Sequence, residues 1–166
     1  SSTIGTILSE DIYPAQQDPA FQNLGLDAGY LTTRPGARNA MFYYPATTDP
    51  NVVQLDEKLK QTATQTELNG VFATGPGSAA YYSSFINVPV LIVNGQNDVI
   101  FCGNGAADCS SSASLQSAEK PYYSASPSVT SFVVPASGHD INLEVTAPVW
   151  YSVSLGWLLS TAKITP

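Results

Sequence analysis

A single imidazole sets the limits of acid-base chemistry in this chain. His139 is the only histidine among 166 residues, and imidazole is the side chain whose ordinary pKa lets it take up and return a proton near neutrality. With only Cys102 and Cys109 beside it, it cannot complete a structural zinc site of four Cys/His ligands. The two cysteines bracket Gly103-Asn104-Gly105-Ala106-Ala107-Asp108, where glycines and an asparagine let the chain bend back. This predicts a short disulfide loop in preference to a reduced, cytosolic pair, with Asp108 solvated inside it. Asp98 is the acid to set beside the histidine. It lies five residues beyond Val93, and His139 lies five residues beyond Val134, each of which closes an apolar run. A carboxylate bonded to one ring nitrogen fixes the tautomer, so that the other nitrogen can take a proton from a nucleophile and return it to a leaving group. Asp140, the rival acid, adjoins His139 in sequence and turns toward the ring's far nitrogen only with difficulty, so it reads as a loop-stabilising residue. Asn94 and Asn97 read as turn formers.

The equal offsets matter only if the two apolar runs lie side by side. Pro89-Val90-Leu91-Ile92-Val93, ending in Asn94-Gly95, reads as a strand buried on both faces. A helix is expected at about 110 to 120, capped by Ser110 or Ser111 and stopped by Pro121. Val129 to Val134 reads as a second strand closed by Pro135, and a last helix is expected from about 147 to 160, with Trp150 and Trp157 as core. Strand, helix, strand, helix is a right-handed parallel unit, which brings both loops to the carboxyl edge of the sheet where open α/β folds bind their ligands.

Residues 1 to 87 read as a mostly helical, aromatic-bearing cap. Asp49 and Pro50 open a helix over 50 to 68 in which Val52, Leu55, Leu59 and Ala63 share a face and Asp56 pairs with Lys60 on the exposed side. A shorter helix is expected at 37 to 42. Tyr43, Tyr44, Tyr81 and Phe85 are candidates to line an acyl or ring pocket, the alternative being ordinary packing. Gly75-Pro76-Gly77-Ser78 is a loop without the lysine of a phosphate cradle.

Composition narrows the class. Acidic residues outnumber basic ones 13 to 6 and the net charge is −7, with no basic stripe to follow a nucleic-acid backbone. A 43% hydrophobic and 11% charged chain is not a disordered tail, and no apolar run approaches the ~20 residues of a membrane span. The acidic balance and the cysteine pair suit a secreted protein, and Ser1 in place of Met suggests processing from a longer precursor. No motif points to a metal or an organic cofactor.

Residues 88 to 102, Val-Pro-Val-Leu-Ile-Val-Asn-Gly-Gln-Asn-Asp-Val-Ile-Phe-Cys, and 135 to 143, Pro-Ala-Ser-Gly-His-Asp-Ile-Asn-Leu, resemble the last two catalytic segments of an α/β-hydrolase. With Phe42-Tyr43-Tyr44, the helix after Asp49 and the cysteine loop, the chain resembles secreted fungal members of that fold. The resemblance implies that Asp98 and His139 occupy the acid and base positions after the seventh and eighth strands. It also implies an α/β fold in which 1–87 is a helical cap and 88–166 is the C-terminal part of the catalytic domain. The chain departs from the family in lacking the Gly-x-Ser-x-Gly nucleophile elbow. Ser78 has neither the preceding strand nor the offset to replace it. The expectation is therefore the C-terminal half of a cofactor-free hydrolase of esters, lactones or related acyl bonds. Its serine and remaining strands would come from an N-terminal half of the same precursor. Two alternatives stand beside it: a cofactor-free lyase or cyclase on the same fold, and a binding module that has lost its nucleophile.

Overall fold

Short β-branched and aromatic stretches in the first half pair with one another rather than joining the helices around them. β1 (Ile12–Pro14), β2 (Tyr30–Thr33) and β3 (Ala63–Thr64) form an antiparallel sheet in that order, with Ile12 opposite Thr33 and Leu31 opposite Ala63. The computed structural model describes residues 10–73, 82–103 and 106–161. Three helices accompany this sheet: α1 (Arg38–Phe42), α2 (Pro50–Leu59) and α3 (Gln65–Ala73). The first half thus carries a small antiparallel sheet beside its helices.

The helix expected over 50 to 68 is two helices with a strand between them. Asp49 caps the first as expected, its Oδ1 accepting the Asn51 N–H at 2.8 Å. The break follows from Lys60, which leaves the helix with extended ψ and carries its ammonium to Asp18 Oδ2 at 2.7 Å, the Thr33 carbonyl at 3.1 Å and Glu57 at 2.9 Å. A second start signal then intervenes. Thr64 and Glu67 form a capping box, the Glu67 carboxylate accepting the Thr64 N–H at 2.7 Å and the Thr64 hydroxyl accepting the Glu67 N–H at 3.2 Å. The expected Asp56–Lys60 pair on an open face is replaced by two others. Lys60 is buried with Asp18, and Asp56 takes both bonds of the Arg38 guanidinium, at 2.6 and 2.8 Å. Leu55 and Leu59 remain more than half exposed, so the apolar face of α2 is not a core face.

The second half runs β4 (Val90–Gly95), α4 (Ser112–Glu119), β5 (Val129–Val134) and α5 (Ala147–Thr161). β4 and β5 are parallel and in register from Val90 opposite Val129 to Gly95 opposite Val134. Ser111 caps α4, its hydroxyl accepting the Ser114 N–H at 3.0 Å. Pro121 does not stop the chain there but sits in a 3-10 turn, Lys120–Tyr123, that continues it. Leu115 is wholly buried with Val133 and Cys109, against Ile92 and Cys102. β4 is longer than expected, because Asn94 and Gly95 stay on the ladder opposite Val133 and Val134 instead of turning.

Among the described residues this parallel sheet has two strands, so one edge of each carries unpaired backbone groups. α5 is apolar around its whole circumference, and Val149, Tyr151, Leu155 and Leu158 are exposed on it. Trp150 and Trp157, expected as core, are only half-buried. A helix apolar on every side is the pattern of one surrounded by protein. Among the described residues no helix is long and apolar enough to cross a membrane.

The Asp18 cluster is the charged centre of the first half. Burial works against the Asp18 carboxylate, but the Lys60 ammonium, the Ala20 N–H and the Tyr13 hydroxyl outweigh it and hold its pKa below the usual 3.8. Its contribution to stability is complete above that value and is lost as the pH falls through the lowered one. Burial first, and the bond to Asp18 second, push Tyr13 up to about 12. Replacing Lys60 by Met leaves Asp18 buried without its cation, and the expected cost is about 3–5 kcal/mol, read as a lowered urea midpoint of the purified protein.

Candidate active site

Parallel pairing brings the loops after β4 and β5 to one edge, and backbone bonds then sew them together. The Gln96 N–H donates to the Val134 carbonyl at 2.9 Å and the Asn97 N–H to the Ser137 carbonyl at 2.8 Å. The fit has no room for side chains. A Cβ on Gly95 would overlap the Gly138 carbonyl oxygen, and one on Gly138 would stand 2.5 to 2.7 Å from the backbone of Tyr43 and Tyr44. Ala136 turns the chain with φ 50°, in the left-handed region that costs a non-glycine residue about 1 kcal/mol.

Asp98 and His139 meet on this platform. Asp98 is 4% exposed. Its Oδ1 accepts the N–H groups of Ile100 at 2.7 Å and Phe101 at 3.0 Å, which leaves Oδ2 to meet His139 Nδ1 at 3.0 Å. Because Nδ1 faces a carboxylate, we assign the ring proton to it. Nε2 then has a free lone pair and no hydrogen-bond partner among the described residues. The imidazole lies between two aromatic rings, Phe42 at 5.8 Å and Phe101 at 5.2 Å between centroids. Burial works against the charged ring, but the hydrogen bond and charge of Asp98, with the charge of Asp140, outweigh it. The His139 pKa therefore lies above its ordinary 6.5. Asp140 contributes its backbone instead, its N–H donating to the Phe42 carbonyl at 2.8 Å. Burial is the main reason its carboxyl pKa is raised, with Asp56 and Asp98 adding to it against the opposing charges of His139 and Arg38.

The aromatic candidates separate. Tyr43 is buried at 3% exposure and Tyr44 is half-buried. Both border a cavity of about 540 Å³ beside Asp98, whose other walls include Asn97, Val99 and the Cys102–Cys109 disulfide. Phe85 is not brought to this edge. Its 3-10 turn, Tyr82–Phe85, precedes β4 and packs against the turn that precedes β5. It therefore lies at the amino ends of both strands, and six residues of β4 at about 3.3 Å each separate it from the acid. Tyr81 and Ser78 lie outside the described residues. The expected offset of Asp98 shortens as well: it is three residues past Gly95, the true end of β4.

Several residues of the site carry no signal in their own stretch of sequence. Phe101 flanks the ring because its own N–H is bound to Asp98 Oδ1. Phe42 flanks it from a segment nearly a hundred residues earlier in the chain, and no local pattern encodes such a contact. Glu144, 4% exposed, accepts the N–H groups of Tyr44 at 2.6 Å and Gly138 at 3.0 Å and faces the Thr48 hydroxyl at 2.6 Å. Neither a protein-family model nor a curated protein sequence matches the chain.

With one histidine in the chain, proton NMR reads this site without assignment. The single imidazole should titrate with a midpoint above 6.5, and Asp98→Asn should lower the midpoint toward that value or below, since burial is then opposed only by the charge of Asp140. The raised pKa also means that the pair's contribution to stability is complete below 6.5 and declines as the pH rises through the folded-state midpoint. A midpoint unmoved by the Asn variant would mean that the 3.0 Å contact is not formed in solution.

Proposed function

We propose that this chain is the acid- and base-bearing part of a serine hydrolase acting on an ester, lactone or related acyl bond. The observation that carries the reading is the Asp98–His139 contact of 3.0 Å at the carboxyl edge of two parallel strands. There an anchored carboxylate turns the unpartnered Nε2 away from itself. In this reading a serine on another polypeptide segment attacks the acyl carbonyl while Nε2 takes its proton. The same nitrogen returns that proton to the leaving alcohol as the tetrahedral intermediate collapses to an acyl-enzyme. Water then repeats the sequence and releases the acid. Asp98 holds the ring's orientation and offsets the imidazolium charge at both stages. Donors for the oxyanion come with the serine segment.

The open edge of the parallel sheet and the apolar circumference of α5 support a second segment at this site, and in this reading it is the N-terminal half of the same precursor. The Cys102–Cys109 disulfide fits an oxidising, extracellular location.

A fluorophosphonate probe applied to the purified native protein, followed by denaturing mass spectrometry, tests the reading. The label is expected on a serine of a polypeptide other than residues 1–166. His139→Ala should abolish turnover, a loss of about 10⁶-fold, with the fold retained. A lone 17.5 kDa chain that takes no label, or turnover that survives the histidine variant, would overturn it.

A further inference from the structure

The acid-base pair explains Asp98 and His139 but leaves a third internal carboxylate without a role. Glu144 is five residues beyond the histidine, is 4% exposed, and has no ion-pair partner among the described residues. A buried carboxylate without a cation is costly unless donors surround it, and here three do. Oε1 accepts two backbone N–H groups, those of Tyr44 at 2.6 Å and Gly138 at 3.0 Å, and Oε2 faces the Thr48 hydroxyl at 2.6 Å.

The partners lie on two separate pieces of chain. Tyr44 and Thr48 belong to residues 42–48, a strap from the first half, whereas Gly138 is the residue next to His139. Two further bonds run between the same pieces: the Thr47 hydroxyl donates to the Ala136 carbonyl at 2.7 Å, and the Asp140 N–H donates to the Phe42 carbonyl at 2.8 Å. The three main chains of Gly95, Gly138 and Tyr43 touch without side chains between them. Turning the Gly138 peptide would therefore move the histidine against the β4 loop that carries Asp98. Glu144 holds that peptide from the side opposite Gly95.

We infer that Glu144 is a positioning residue. Through the Gly138 N–H and the strap it fixes the Ser137–Gly138 peptide, one residue ahead of His139, and so keeps Nδ1 in register with Asp98 and Phe42 against the ring. The inference deepens the hydrolase reading and rests on it for its effect on turnover, but its geometric content concerns the imidazole alone.

The chemistry of the cluster separates positioning from charge. The Thr48 hydroxyl has a single proton, yet it lies within bonding distance of both Glu144 Oε2 and, at 2.8 Å, the Tyr44 carbonyl. A glutamine at position 144 would keep Oε1 for the two N–H groups and donate its amide proton to Thr48 Oγ, freeing the hydroxyl proton for Tyr44. Glu144→Gln is thus the conservative variant, and Glu144→Ala removes the clamp.

The experiment is the NMR titration of the single imidazole in the purified native protein, with kcat and KM measured beside it. Glu144→Ala is expected to lower the His139 midpoint by about one pH unit, as the Asp98 contact loosens. It should lower kcat by about 10²-fold, the effect of a roughly 1 Å misplacement, with KM nearly unchanged. Glu144→Gln should restore both. If the Ala variant does not fold, Thr48→Val removes one arm of the clamp, and the expected result is a smaller fall in the same direction. A titration curve unmoved in whichever variant folds, or a Gln variant as impaired as the Ala variant, would overturn the inference. Because the midpoint is read without substrate, the titration tests the role of Glu144 even in a protein with no hydrolase activity.

Discussion

Three stretches of main chain lie against one another at the carboxyl edge of the parallel sheet, and the rest of the site depends on that contact. Gly95 ends β4 and lies against Gly138, which precedes the histidine, and Gly138 in turn lies against Tyr43 and Tyr44, at separations that would not admit a single methyl group. Glycine at such a position gives up conformational entropy, and in return it lets backbones approach as no other residue does. Here the result is a rigid spacing between the two loops, set by peptide planes rather than by side chains with rotamers of their own. The acid and the base inherit that spacing. Each needs only its preferred local bonds to arrive in register with the other.

Among the described residues three carboxylates are buried, Asp18, Asp98 and Glu144, and each is made tolerable by a different means. Asp18 has an ammonium and a phenol at 2.7 Å. Asp98 has two backbone amides on one oxygen and an imidazole on the other. Glu144 has two amides and a hydroxyl, with no cation. The first arrangement ties the antiparallel sheet to the end of α2 and serves the fold. The second leaves one nitrogen of its partner free, which is what a proton acceptor requires. The third joins distant pieces of chain through bonds whose directions are fixed by peptide geometry, so it transmits position better than charge.

Much of the site is legible in the sequence because it is local. The apolar runs before Asp98 and His139 identify two strands, and the helix between them makes those strands parallel, so the meeting of the two side chains follows from topology. The Cys102–Cys109 loop and the Asp49–Pro50 helix start are equally plain. Other features are present in the sequence but masked by a stronger pattern. Thr64-Gln65-Thr66-Glu67 is a capping box, yet the apolar spacing from Val52 to Ala63 suggests one unbroken helix across it. Asn94-Gly95 is a turn signal that pairing with Val133 and Val134 overrides. The contacts made across the chain are not legible at all: Lys60 with Asp18, Phe42 with His139, Glu144 with Tyr44. In each case the residue's role is decided by a partner that no periodicity links to it, and burial turns a residue that looks like a surface charge into an internal one.

The strap also bears on the order in which the molecule forms. The Glu144–Tyr44 bond spans 100 residues of sequence and the Thr48 bond 96, whereas β4 and β5 are joined through a single short helix. Closing so long a loop costs entropy that rises only as the logarithm of its length, but the closure must precede any gain from the contacts it brings. During synthesis residues 42–48 leave the ribosome well before their counterparts in the histidine loop exist. The antiparallel sheet, whose strands lie closer together in sequence, is available to form meanwhile. The platform under the imidazole is therefore completed late, after both halves have acquired their own structure.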